Sequence, residues 1–460
     1  MGAMAADLSL LLTVAGDIHL KSARTQRRLR RTLRHNLEAA LARESPTAVI
    51  VAGPQGRMMV TAHDQATLEA AADAAARVFG IYRVIAVRRL AVPDLESLTN
   101  QVAELARDRV RGHTFAVRVR RRGEQPWRSV DAERAIGAAL LDDSAGVDLS
   151  TPEVEVRAEV YNEEAFYVER TWDGTDGLPL GTQEAVLSLL SGGFDSPVAA
   201  WMMMRRGCPV DFVHFMMDCA QSDHALAVGY GLWERWGHGT DPLAWVVDFT
   251  EVKTSLLDRV ESQHRQVVLK QLMFAAADAL AARERRPALL TGEAVGQVSS
   301  QTLTNLVEID RACERTVLRP LAGLTKNEII GWSRHCGTHD LSARAKEVCN
   351  LADGPVEVAA RRRRLERAVA ALPEDLVSRA LAERRVIRLA DWHPGVELVP
   401  VATDTPPGTP LVGPDDPVPA TGPVAFVGRD AAHRASPLAA AGRPVTVVEQ
   451  PLRRGLRRAG

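Results

Sequence analysis

The chain has 460 residues, 46% apolar and 25% charged, with a formal net charge of −1. That length exceeds one typical core, so about two to four globular domains are expected. A uniformly basic nucleic-acid binder is excluded, and any nucleic-acid surface must be a local patch.

The five cysteines are Cys208, Cys219, Cys313, Cys336 and Cys349, with no C-x-x-C pair among them. No zinc or cysteine-held iron–sulfur site is signalled, and no metal-ligand set is expected. An odd count without a secretory signal fits reduced thiols and a cytoplasmic location. The first apolar run, Leu8–Val14, is too short to cross a membrane.

In chain order, Leu8–Val14 reads as a strand and Gly16–Ser22 as a polar loop. Gln26–Ala42 reads as a helix whose face carries Arg27, Arg28, Arg30, Arg31 and Arg34. Ala48–Val51 and Met58–Thr61 form a predicted hairpin about Gly53–Gly56. The helix Gln65–Val78, the strand Tyr82–Arg88 and the helix Leu95–Arg109 complete a small α+β pattern.

Phe115–Arg122 alternates. Phe115, Val117 and Val119 fall on one face, and Arg118, Arg120 and Arg122 on the other. Such an arginine row can meet a phosphate backbone, or it can be a solvated sheet face. Strands are also expected at Val154–Val160 and Ala165–Glu169.

From Gln183 to about Ala360 the pattern turns α/β. Apolar strands recur at Ala185–Leu190, Val210–Met216, Ala244–Phe249 and Ala288–Thr291. Between them lie helices that include Val267–Ala282, and Lys326–His335 follows. A doubly wound parallel sheet is expected. Pro355–Leu389 reads as helical and charged, residues 400–423 as a proline- and glycine-rich linker, and Val424–Val427 and Pro444–Val448 as short strands.

The most informative segment is Ser191-Gly-Gly-Phe-Asp-Ser196, between the first of these apolar strands and Pro197. A strand, tight glycine turn and helix start aim backbone N–H groups, two serine hydroxyls and the positive helix end at one small volume. A polyphosphate suits that volume, although such turns also carry glycine and serine for backbone reasons alone. The segment lacks the Gly-Lys-Ser/Thr ending of a Walker loop and the Gly-x-Gly-x-x-Gly of a dinucleotide fold. It resembles the pyrophosphate loop (PP-loop) of ATP pyrophosphatases.

The order of motifs over about residues 7–365 resembles the tRNA 4-thiouridine synthetase (tRNA sulfurtransferase) family. The carriers are Gly-Asp-Ile-x-x-Lys-Ser at 16–22, FAVRVRRRG at 115–123, Gly181-Thr-Gln183, the PP-loop, TGEAVGQVSSQTLTNL at 291–306, and Leu318-Arg-Pro-Leu321 with Lys326-Asn-Glu-Ile-Ile330. The resemblance implies a ferredoxin-like region at 1–64, a THUMP RNA-binding domain at 65–172, a PP-loop ATP pyrophosphatase domain at 180–365 and a degenerate rhodanese-like region at 386–460.

It also implies the activity. ATP activates O4 of the uridine at position eight of tRNA as an adenylate, and a persulfide sulfur displaces AMP to give 4-thiouridine. ATP and Mg²⁺ are the implied cofactors. The implied partners are tRNA and a cysteine desulfurase or other persulfide carrier, with a homodimer as the family expectation. The alternative is a non-catalytic tRNA-binding adaptor that retains ATP binding.

Carried over by residue, Leu189, Leu190, Ser191, Gly192, Gly193, Phe194, Ser196, Lys270, Gly292 and Gln301 contact ATP. Asp195, Lys326 and Cys349 are catalytic, the last receiving or resolving sulfur by thiol exchange. Arg118, Arg120 and Arg122 contact tRNA. Taken singly, Asp195 could be only a helix-capping acid, Lys326 a solvated lysine and Cys349 a small buried residue.

Two departures stand out. No cysteine follows Cys349, and Val427 stands where a rhodanese cysteine would. That weakens the family's second role, sulfur supply to the thiazole of thiamine. Met217–His224 replaces a segment where many members carry a Gly-Gly turn.

Overall fold

The computed structural model describes residues 8–217, 222–344, 351, 354, 356–392, 409–412, 417–427 and 445–448. The chain divides into two compact units, Met1–Pro179 and Leu180–Gly460.

The first unit holds β1 (Leu8–Val14), β2 (Val49–Ala52), β3 (Met58–Thr61), β4 (Ile81–Ala91), β5 (Thr114–Arg122), β6 (Gly146–Val147), β7 (Val154–Tyr161) and β8 (Glu164–Asp173). They make one sheet, ordered β2-β3-β1-β4-β8-β7-β5-β6. The antiparallel β4–β8 ladder therefore joins the β1–β4 part of the sheet to the β5–β8 part.

Two helix-covered cores form on this sheet, beside a smaller cluster that includes Leu11, Val87 and Phe166. The helices Ala23–Glu44 and Gln65–Ala76 bury Leu33, Leu37 and Leu68 against Leu10, Leu12 and Val84. The helices Leu95–Val110 and Ser129–Leu140 bury Val102, Ala106 and Ile136 against Phe115, Val117 and Val156. Ser22, Asp64 and Asp94 start three of these helices by accepting a backbone N–H three residues on. That contact satisfies a donor the first turn would otherwise orphan.

The second unit is the α/β half. Its strands are β9 (Val186–Leu189), β10 (Val210–Met216), β11 (Leu243–Asp248), β12 (Ala288–Leu290), β13 (Thr316–Leu318) and β14 (Arg385–Arg388). The sheet order is β13-β12-β9-β10-β11-β14, and all neighbours are parallel except β11 and β14. All of β10 is buried, as expected of a parallel strand covered on both faces.

The helix Ser262–Arg283 covers one face, seating Val267, Phe274 and Leu280 on Leu187, Val213, Trp245 and Val247. The chain leaves β9 toward β10 and later returns to β12 on its other side. The crevice beyond the carboxyl end of β9 is thus the topological switch point, where such sheets bind ligands.

The helical reading of Pro355–Leu389 needs one correction. Helices occupy Arg362–Ala370 and Leu376–Ala382, but Arg385–Arg388 is a strand antiparallel to β11. β15 (Leu411–Val412), β16 (Val424–Val427) and β17 (Val445–Val448) form a separate parallel sheet that buries Val424, Ala425 and Phe426.

Candidate active site and nucleic-acid interface

At the end of β9, the Leu190 amide donates to Val213 O (2.8 Å), and Leu190 O accepts from His214 Nδ1 (2.9 Å). Both contacts hold the chain in sheet geometry up to the residue before the turn. Burial then holds His214 below the ordinary histidine range, so its ring is neutral.

The turn closes on itself through its serines. Ser191 N donates to Ser196 Oγ (3.2 Å), and the two serine Oγ atoms lie 3.3 Å apart. Gly192 has φ +75°, and a Cβ there would lie 2.9 Å from His224 Cδ2. Glycine is needed for conformation and for space. Ser342 Oγ donates to Gly193 O (3.2 Å), fastening the short helix His339–Ser342 to the turn.

Asp195 opens the helix Asp195–Met204 but does not cap it. Its Oδ1 accepts from Lys326 Nζ (2.7 Å) and its Oδ2 from Gln297 Nε2 (2.8 Å). Lys326 is likewise not a free surface lysine. It is the first residue of the helix Lys326–Cys336, which Thr325 and Glu328 start with a capping box.

Gly292 lets the loop after β12 reach this turn. A Cβ there would come within 2.6 Å of Asp195 C and 2.7 Å of Ser196 N. Gln301 is buried, and its Oε1 has no hydrogen-bond partner among the described residues.

Lys270 enters from the helix Ser262–Arg283 and donates to Glu293 Oε1 (2.7 Å). Glu293 Oε2 accepts from Arg319 Nε (3.0 Å) and Thr291 Oγ1 (3.2 Å). Arg319 also binds both carboxylate oxygens of Asp310 (3.0 and 2.5 Å). Burial alone would raise the Glu293 pKa, but Lys270 and Arg319 outweigh it and hold the carboxyl below its ordinary range.

The ATP-contact and adenylation residues named from the sequence, Leu189 to Ser196 with Lys270, Gly292, Gln301 and Lys326, all belong to the second unit. The turn, Gly292 and Lys326 are linked by the direct contacts above. Gln297, Glu293 and Arg319 received no role from the sequence, although all three lie inside the quoted motif blocks.

The described thiols are poor nucleophiles. Burial pushes Cys208 up, Cys313 to about 11, and Cys336 further still. Cys349 and Cys219 lie outside the described residues.

In the first unit, Phe115, Val117 and Val119 are core residues, and Arg120 and Arg122 are exposed, as the alternation predicts. Arg118 differs, because its Nη2 donates to Leu149 O (2.6 Å) and its Nε lies 3.8 Å from Glu155. Arg121 is held by the Gln125 and Trp127 carbonyls (2.7 and 2.6 Å). On the helix Ala23–Glu44, Arg27, Arg28, Arg31 and Arg34 are exposed, with Arg34 paired to Glu38.

The turn after β9 sets the class: this is a PP-loop protein joined to a ferredoxin-like and THUMP half. Family models agree along the chain. The ThiI ferredoxin-like domain matches residues 11–84, the THUMP domain 92–167, and the thiamine biosynthesis protein (ThiI) family 181–371.

A tRNA sulfurtransferase of Desulfurococcus amylolyticus is 39% identical over 387 residues, 84% of this chain and 79% of that protein. One from Pectobacterium atrosepticum is 34% identical over 84% of this chain and 80% of its own length. The chain belongs to the tRNA sulfurtransferase family. In fold it is similar to a 4-thiouridine synthetase solved in complex with RNA and bound ATP. That match has a TM-score of 0.72 at 24% identity and covers 83% of this chain and all of the other. No helix among the described residues is long and apolar enough to cross a membrane.

Proposed function

We propose that this chain adenylates the uridine at position eight of tRNA with ATP and replaces O4 with persulfide-derived sulfur, giving 4-thiouridine in the cytoplasm. The observation that carries this reading is the Lys326–Asp195 contact against the serine-lined turn. It sets a cation beside the first turn of a helix whose dipole favours anions, where a triphosphate would develop negative charge.

Uracil O4 attacks the α-phosphorus of ATP and pyrophosphate leaves. Lys326 and the turn donors take up the growing charge, and Lys270 adds a second cation. The unpartnered Gln301 Oε1 suits a hydroxyl donor of the nucleotide. Magnesium fits here as an ion carried on the triphosphate: the turn offers one carboxylate, Asp195, and both its oxygens already accept hydrogen bonds.

In the second half the terminal sulfur of a persulfide attacks C4, and AMP leaves with the former O4. A thiolate then attacks the sulfur left on the carrier side of the S–S bond. The new sulfur stays on the base, and a disulfide forms that a reductant must reopen. We assign Cys349 to this exchange, with a cysteine desulfurase or another carrier as the sulfur source. We assign Arg118, Arg120 and Arg122 to tRNA contact.

The test uses purified protein, unmodified tRNA, Mg-ATP, cysteine and a desulfurase, with nucleoside mass spectrometry of the digested tRNA. 4-Thiouridine with wild type and none with Cys349→Ala is expected. tRNA binding without ATP cleavage would instead identify a non-catalytic adaptor.

A further inference from the structure

The half-buried ring of Phe194 is not required by a phosphate-binding turn, whose donors are backbone N–H groups and serine hydroxyls. It packs against the His339 ring, with centroids 5.4 Å apart and planes tilted by 42°. Lys326 Nζ lies 5.7 Å from the Phe194 centroid while also contacting Asp195. His339 is itself held, its Nδ1 lying 2.9 Å from Asp340 Oδ1, and Ser342 ties its helix to Gly193. Two aromatic rings are thus fixed at the catalytic turn, beside the cation assigned to the adenylation step.

We propose that Phe194 and His339 form the platform on which the target uracil stacks. The inference rests on the function proposed above and adds the base-binding subsite to it. A nucleobase that reacts through O4 and C4 must leave its stack and find another π-face, and aromatic side chains commonly supply one. A uracil laid on Phe194 places its polar edge near Lys326, which attracts the partly negative O4. The family resemblance counts Phe194 among the ATP contacts; in this assignment the turn backbone keeps that contact and the ring goes to the second substrate.

The experiment compares Phe194→Leu, Phe194→Tyr and His339→Ala with wild type in the 4-thiouridine assay, varying tRNA and ATP separately. Thermal unfolding checks that each variant is folded. Loss of the ring in Phe194→Leu is expected to lower kcat/KM for tRNA by roughly 10- to 100-fold, leaving KM for ATP within about twofold. Phe194→Tyr retains the π-face and is expected to recover most of the kcat/KM for tRNA lost in Phe194→Leu. His339→Ala, at a side chain 28% exposed, tests the platform even if Phe194→Leu does not fold.

An unchanged tRNA dependence in a folded Phe194→Leu or His339→Ala overturns the proposal. A rise in KM for ATP alone overturns it too and gives the rings to adenine. A wild-type enzyme that makes no 4-thiouridine refutes the parent function instead, so the two failures are distinguishable.

Discussion

Lys326 Nζ sits 2.7 Å from Asp195 Oδ1, although 131 positions separate the two residues. The contact joins the first turns of two helices, the place where a helix end is most positive. Lys326 is 45% exposed, so the pair adds little to stability and its value is local.

Asp195→Asn and Lys326→Met should therefore fold normally, with melting points within ~3 °C of wild type. Each should lose roughly 10²- to 10³-fold in tRNA-dependent pyrophosphate release. Because the two side chains act as one unit, the double variant should be little worse than either single one.

Glu293 carries a different load. Its carboxylate is buried between Lys270 and Arg319, and removing the charge takes the ion-pair partner from Lys270 and leaves Arg319 with Asp310 alone. Glu293→Gln is expected to cost about 3–5 kcal/mol in urea unfolding and to raise KM for ATP by freeing Lys270. The folded pKa lies below the ordinary 4.5, so the stabilisation is complete above that value and is lost as pH falls through the folded pKa. The acid limb of the stability curve should flatten in Glu293→Gln.

Gly292→Ala tests the close approach of the β12 loop to the turn. The added methyl would lie 2.6 Å from Asp195 C, so backbone must move. An overpacking cost of roughly 1–3 kcal/mol is expected, with a larger relative loss of turnover because Asp195 is displaced. Equal activity of folded Gly292→Ala and wild type would contradict this.

His214 adds a second acid-sensitive term. Burial sets its folded pKa below the ordinary 6.5, so the unfolded chain binds its proton first. Stability falls as pH drops from 6.5 toward the folded pKa. His214→Asn should be less stable at neutral pH, through loss of the bond to Leu190 O, yet show a shallower decline of melting point on acidification.

On the first unit, Arg120→Glu with Arg122→Glu should weaken tRNA binding and reduce the slope of log K against log salt by about 2. ATP binding should not change. Arg118→Ala should act partly through folding, because its guanidinium holds the Leu149 carbonyl. Filter binding at several salt concentrations separates the two cases.

The strands were legible where both faces are buried: Val210–Met216 is apolar at every position but Asp211 and His214, and those two are buried with the rest. The glycine turn was legible from local backbone chemistry. Gln297 was not, since its partner Asp195 is 102 positions away and either residue alone reads as a polar surface group. The tether on Arg118 was hidden for a similar reason, as it ends on a carbonyl of a distant loop. Arg385–Arg388 looked helical because four residues with charged ends carry little period-two signal.

That short strand sets where the molecule can safely be cut. β14 occupies the open edge of β11, pairing Arg385–Arg388 with Leu243–Val246. The family model for this half ends at residue 371, fourteen positions before the pairing begins. A fragment trimmed to that limit would present the bare N–H and C=O groups of an apolar strand to other molecules, an invitation to intermolecular sheet growth. An expression piece extended past Arg388 retains its own cover, with arginines at both ends of the guarding strand.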